Sequence, residues 1–194
     1  MNYLQERNEM LTGRFDEAFL FAHNIHRDQR RKGTSIRYIS HLMQVSAIVV
    51  EYGGDEDQAI AALLHDAAED QGGEPTLDEI RRRFGSGVAQ IVFDCTDSWT
   101  EAKPDWKPRK EAYIAAMRAR SQRSMLVSLA DNTHNSEAIM SDFAMIGDRV
   151  WERFAGGAAG TRWYYSALVD VFEERLPGPL TNRLKRAIRG FDHV

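Results

Sequence analysis

Six histidines punctuate this chain of 194 residues: His23, His26, His41, His65, His134 and His193. His65 is followed directly by an acid, Asp66. With 15 aspartates present, chance supplies about 0.5 His-Asp pairs, so the dipeptide alone says little. The continuation His65-Asp66-Ala67-Ala68-Glu69-Asp70 is far harder to obtain at random, with an expectation of about 0.005. Residues four apart share a helix face, which predicts His65 beside Glu69 and Asp66 beside Asp70. One imidazole and three carboxylates so grouped are the donors of divalent-metal binding and of general acid–base chemistry. Two more polar residues interrupt apolar stripes. His41 lies between Ile39 and Leu42-Met43, and Asp131 follows Leu126-Val127-Ser128-Leu129-Ala130, with Asn135 one turn on. Taken singly, the first reads as a satisfied core histidine and the second as a helix cap; their co-occurrence with His65-Asp66 favours a common site.

The elements that must position these residues are helical throughout. Phe15, Ala18, Phe19 and Ala22 predict a helix from Phe15 to Arg31, ending on Arg30-Arg31-Lys32-Gly33 as helix ends prefer. Thr34–Ser40 reads as a connector, and Ile39, Leu42, Met43, Ser46, Val49 and Val50 draw the next stripe. Asp55 caps a helix whose buried face is Ala59, Ile60, Leu63, Leu64 and Ala67, stopped by Gly72-Gly73. Thr76 and Glu79 read as a capping box for a helix to Phe84. Further helices fit Val88–Thr96, Arg109–Arg120, Met125–Met145, Arg162–Arg175 and Thr181–Arg189. Gly156-Gly157-Ala158-Ala159-Gly160 separates two of them and, with no Lys-Ser/Thr after it, is not a phosphate loop. Arg81-Arg82-Arg83 reads as a solvated face. The expectation is an all-α, single-domain bundle over 1–194, with about eight to ten helices at the usual length, a motif core at about 30–135, and helices over 148–190 completing it.

Composition narrows the function classes. With 25 basic and 29 acidic side chains the net charge is −4, which argues against gripping duplex phosphates. Cys95 is the single cysteine, excluding an internal disulfide and a cysteine-based zinc site. No apolar run approaches the roughly 20 residues of a membrane span, and the opening MNYLQERNEM lacks a leader's apolar stretch. A soluble, cytoplasmic domain is expected, with no membrane partner; its oligomeric state is open.

The order His41, His65-Asp66, Asp131 resembles the ligand order of HD-domain metal-dependent phosphohydrolases. The resemblance tightens to the hydrolase domain of the RelA/SpoT alarmone enzymes and to small alarmone hydrolases of the metazoan SpoT homologue type. It is carried by Arg30-Arg31-Lys32-Gly33-Thr34, Tyr38-Ile39-Ser40-His41, the Ala61–Asp70 block, and Leu129-Ala130-Asp131 with Asn135. The resemblance implies a divalent cation held by His41, His65, Asp66 and Asp131, a mixed set that suits Mn²⁺ without excluding other divalent metals. It implies that Glu69 and Asp70 position and activate the attacking water, and that Arg31 and Lys32 meet the nucleotide at the pocket mouth. Asn135 falls near the scissile diphosphate. Lys103, Lys107, Arg109 and Lys110 cluster where the family places phosphate-binding lysines, and Tyr164 and Tyr165, beside Arg162 and Trp163, are candidate pocket walls. Asn132 departs from the family, which commonly has a basic residue there. The implied reaction is Mn²⁺-dependent hydrolysis of guanosine 3′,5′-bis(diphosphate) and the pentaphosphate at the 3′ position, giving pyrophosphate and GDP or GTP. The alternatives are a metal-dependent phosphatase on another nucleotide, such as the 2′-phosphate of NADPH, and a non-catalytic nucleotide sensor. The hydrolase blocks leave no room for a synthetase domain, so degradation alone is expected.

Overall fold

A computed structural model describes residues 11–99 and 105–193, and among these every regular element is helical, apart from an isolated bridge between Arg30 and Arg37. The helices are α1 (Gly13–Ile25), α2 (Ile39–Glu51), α3 (Glu56–Leu64), α4 (Ala67–Asp70), α5 (Glu74–Phe84) and α6 (Ser86–Cys95). They continue with α7 (Trp106–Met117), α8 (Gln122–Ile146), α9 (Gly157–Arg175) and α10 (Pro179–Arg189), with 3-10 turns at Gly147–Arg153 and Gly190–His193. The all-α expectation holds.

Helices α3 and α8 form the centre. Every residue of α3 from Ala59 to Leu64 is buried, because α1, α2, α6 and α8 surround it. Its N-terminus is set by the Asp55–Gln58 capping box, which satisfies two otherwise orphaned backbone donors. Helix α8, 25 residues long and so about 37 Å from end to end, packs against α2, α3, α6 and α10. It buries polar side chains by turning them onto its own backbone. Thr133 donates to Leu129 O at 2.7 Å, Asn132 to Ser128 O at 2.8 Å and Ser136 to Thr133 O at 2.8 Å. That pattern lets a polar sequence occupy the core without unpaired groups.

Several boundaries differ from the periodicity reading. Helix α1 stops at Ile25, not Arg31, because His26 turns inward, 1% exposed, and stacks on Tyr38 at 5.4 Å. Arg30-Arg31-Lys32-Gly33 is therefore the tip of a tight turn. Arg31 N–H donates to Ile36 O at 2.9 Å, and Gly33 has φ +70°, a backbone conformation open to glycine at little cost. Thr76 does not cap α5. Gly73 starts that helix and the Thr76 hydroxyl donates to Gln71 O, while Glu79 pairs with Arg82 and Arg83. The glycine run is not a separator, since α9 begins within it at Gly157. A Cβ on Gly156 would come within 2.7 Å of the Trp106 ring, and one on Gly160 within 3.0 Å. The Trp106 ring packs against this bare backbone, which joins α7 to α9. Arg81 and Arg82 are exposed, as expected for a solvated face.

Candidate metal centre

His41, His65, Asp66 and Asp131 come from three places: the first turn of α2, the α3–α4 junction, and the middle of α8. The junction is a break in what periodicity reads as one helix. Asp66 has φ −96° and ψ −1°, the sparsely allowed bridge region common at active sites. Asp66 is thus the N-cap of α4, and the helical turn still closes, with Asp70 N–H donating to Asp66 O at 2.9 Å. Asp66 turns towards α2 and α8, whereas Asp70 is exposed and accepts from Gln29 Nε2 at 2.8 Å.

The four side chains converge through their ligating atoms. His65 Nε2 lies 2.9 Å from Asp66 Oδ2 and 3.5 Å from Asp131 Oδ1. His41 Nε2 lies 3.2 Å from Asp131 Oδ1 and 3.7 Å from Asp66 Oδ2. Donor atoms of His41, His65 and Asp66 fall within 4.8 Å of one another; Asp131 approaches both imidazoles without completing that mutual set. Both histidines are 1–2% exposed, yet neither Nε2 has a hydrogen-bond partner. The other nitrogen of His65 explains this. Its Nδ1 is 2.9 Å from Ala62 O, and a carbonyl only accepts, so Nδ1 carries a proton and Nε2 is the nitrogen that the neutral ring would offer to a cation. Two such imidazole nitrogens facing two carboxylates are a donor set for a cation.

Each candidate ligand is also held from behind. Ala62 O fixes His65, the Tyr38 hydroxyl donates to Asp66 Oδ2 at 2.5 Å, Asn135 Nδ2 donates to Asp131 Oδ1 at 2.6 Å, and His134 Nδ1 lies 2.8 Å from His41 Nδ1. Such outer partners orient ligands and commonly change metal affinity 10–100-fold when removed. Electrostatics point the same way. Burial opposes the charges of Asp66 and Asp131, but the facing imidazoles hold both carboxyls well below the usual carboxylate range. Burial likewise opposes protonation of His65, and the two carboxylates outweigh it, raising that imidazole well above its usual value. The centre stabilises positive charge. Burial, then His41 and Arg31, push His134 down to about 4, so it is neutral near pH 7.

The centre opens into a cavity of about 730 Å³. Glu69 lines it and accepts from the Asp97 backbone N–H at 3.2 Å; Asp70 does not line it. Arg31, Lys32, Asn135, Lys110, Tyr164 and Tyr165 all contribute to its wall. Arg31 donates to Asn135 Oδ1 at 2.7 Å, which links the basic turn to Asp131 through one amide. Lys107 stands apart from the cavity, with Nζ 2.7 Å from the Trp163 ring centre and 3.7 Å from Glu111. Lys103 lies outside the described residues. Asn132, where the family commonly has a basic residue, is buried and bonded to Ser128 O, and it touches the cavity wall.

Asp97 and His134 had no signal of their own in the sequence, and Tyr38 stood in the Tyr38-Ile39-Ser40-His41 block without a role. Asp97, its side chain 5% exposed, receives Lys110 at 2.5 Å and Arg109 at 2.5–2.6 Å. Burial raises its carboxyl and the two cations overcome that, lowering it below the ordinary value. It presents Arg109 and Lys110 to the cavity as a fixed, net positive pair.

This arrangement is that of an HD domain: the family model matches residues 18–158, and the chain belongs to the HD domain family. Among particular relatives, the mouse (Mus musculus) protein named guanosine-3′,5′-bis(diphosphate) 3′-pyrophosphohydrolase MESH1 is 39% identical over 173 residues, covering 82% of this chain and 93% of the relative. The Xenopus tropicalis protein of the same name is 39% identical over 122 residues, which is 61% of this chain and 65%, just under two thirds, of the relative. A solved structure described as a metazoan ortholog of SpoT that hydrolyzes ppGpp superposes with TM-score 0.74 at 25% identity, covering 92% of this chain and 95% of that one. No helix among the described residues is long and apolar enough to cross a membrane.

Proposed function

We propose that the chain is a divalent-metal-dependent phosphohydrolase that cleaves guanosine 3′,5′-bis(diphosphate), and the corresponding pentaphosphate, at the 3′ position to release pyrophosphate. The observation that carries the proposal is the pair of buried, unpartnered Nε2 atoms of His41 and His65 facing Asp66 and Asp131. His41, His65, Asp66 and Asp131 would hold the cation, and the two-nitrogen, two-carboxylate set suits Mn²⁺. When bound, the cation supplies Lewis-acid polarisation of a phosphoryl oxygen.

The remaining chemistry belongs to the chain's own residues. Arg31 and Lys32, at the tip of the turn before α2, meet the nucleotide from one side of the cavity; a guanidinium both stacks on a purine and donates to it. Arg109 and Lys110, steadied by Asp97, meet phosphate oxygens from the other. Glu69, which lines the cavity, and its neighbour Asp70 are the carboxylates that position the attacking water and accept its proton in this reading, each also holding one donor, the Asp97 N–H and Gln29 Nε2. Asn135 ties substrate contact to Asp131. Tyr164 and Tyr165 close the apolar wall. The whole chain acts as one domain in this reading, the substrate is a small nucleotide and not a duplex, and the reaction is assigned to the cytoplasm. Purified protein incubated with Mn²⁺ and ppGpp is expected to release pyrophosphate, with NADPH as a second substrate arm. Turnover no greater than that of the His65→Ala/Asp66→Ala double variant would overturn the proposal.

A further inference from the structure

His134 is absorbed by neither the ligand set nor the substrate contacts above, yet it touches both. It lies one turn after Asp131 on α8, 9% exposed, with its ring 4.8 Å from that of His41. The two Nδ1 atoms are 2.8 Å apart. Two imidazole nitrogens at that distance share one proton, so one ring donates and the other accepts. The identity of the donor follows from the other end of His41. Its Nε2 faces the Asp131 and Asp66 oxygens with no hydrogen-bond partner, and a nitrogen that ligates a cation carries no proton. Neutral, ligating His41 therefore holds its proton on Nδ1 and donates it. His134 accepts at Nδ1, which leaves its own proton on Nε2. His134 lines the cavity, and that Nε2 has no hydrogen-bond partner among the described residues.

We propose that His134 is a positioning residue with two linked duties: it accepts the Nδ1–H of His41, fixing the tautomer that ligates, and it thereby presents its Nε2–H to an oxygen of the phosphorylated substrate. This rests on the metal-centre reading above. Occupancy of the centre and the donor capacity of the cavity are then coupled through one shared proton. Tyr38 and Asn135 orient their carboxylates by a single donated bond, whereas His134 alone among the outer partners offers a second nitrogen to the cavity.

Three variants test it, with the Mn²⁺ dissociation constant of the stripped protein measured by competition with a chromophoric chelator and the metal-free melting temperature recorded alongside. His134→Phe keeps a ring but removes both nitrogens, and its Mn²⁺ dissociation constant is expected to rise about 10–100-fold, the usual cost of losing an outer partner. His134→Asn sets an amide oxygen near the Nδ1 position, so it keeps the acceptor and loses the cavity-facing donor. Its Mn²⁺ affinity is expected to stay within about threefold of wild type while KM for ppGpp rises about 2–10-fold, the worth of one hydrogen bond. Should His134→Phe fail to fold, His134→Ala takes its place with the same expectation. Wild-type Mn²⁺ affinity in the Phe or Ala variant overturns the proposal, as does an Asn variant that loses metal as severely as they do. Failure of the underlying reading looks different: the wild type would show no specific Mn²⁺ binding to lose, or His65→Ala would bind Mn²⁺ as tightly as the wild type.

Discussion

Removing the cation, and then each ligand, makes the sharpest test of the centre. His41, His65-Asp66 and Asp131 are brought together only by the packing of α2, the α3–α4 junction and α8, so the site exists in the folded chain and is dispersed in the unfolded one. Binding free energy is then folding free energy, and at a free Mn²⁺ concentration of 100 times the dissociation constant it amounts to about 2.7 kcal/mol. At about 2.1 cal/mol/K of unfolding entropy per residue, a chain of 194 residues has about 0.4 kcal/mol per degree. Mn²⁺ should therefore raise the melting temperature of chelator-stripped protein by about 7 °C, read by differential scanning calorimetry. His65→Ala and Asp131→Ala should melt at the same temperature with and without Mn²⁺. A shift of several degrees that survives in both variants would refute the assignment of these side chains as ligands.

Glu69→Gln should leave the Mn²⁺-induced shift intact while lowering kcat about 10²–10⁴-fold, the range for losing a proton acceptor; steady-state kinetics on metal-loaded protein measures it. Arg31→Ala should raise KM with the metal shift unchanged, separating uniform substrate binding from ligation. Asp97→Asn strands Arg109 and Lys110, 13% and 19% exposed at the side chain, and should destabilise the chain by about 2–3 kcal/mol in urea, below the cost of breaking a fully buried pair because some solvent reaches the cations. The sign with pH follows from the lowered carboxyl of Asp97. Its contribution is present above the ordinary value of 3.8 and lost as pH falls through the lower folded-state value. The gap between wild type and Asp97→Asn should accordingly close on acidification, and a gap that widens would contradict the assignment.

The chemistry was legible in the sequence where it depends on residue type. His65-Asp66 with Glu69, and His41 and Asp131 set within apolar stripes, are anomalies that hydrophobic burial alone does not account for, and they are the residues that converge. The all-α class was legible for a similar reason, since a 3.6-residue period is a local property of the chain. Positions that depend on departures from regular geometry were not. Asp70 follows Asp66 by one closed helical turn, yet its carboxylate takes Gln29 while that of Asp66 takes Tyr38. Arg31 and Lys32 look like a helix end until His26 is seen turning into the core against Tyr38. Tyr38, Asp97 and His134 act through partners 28, 12 or 13, and 93 residues away, and no spacing rule connects such positions. Composition and order thus determined which atoms are available to hold a cation and to take a proton from a water. Packing of α2, α3 and α8 decided which of them face one another, because orientation is set by non-local contacts that the chain acquires only on folding.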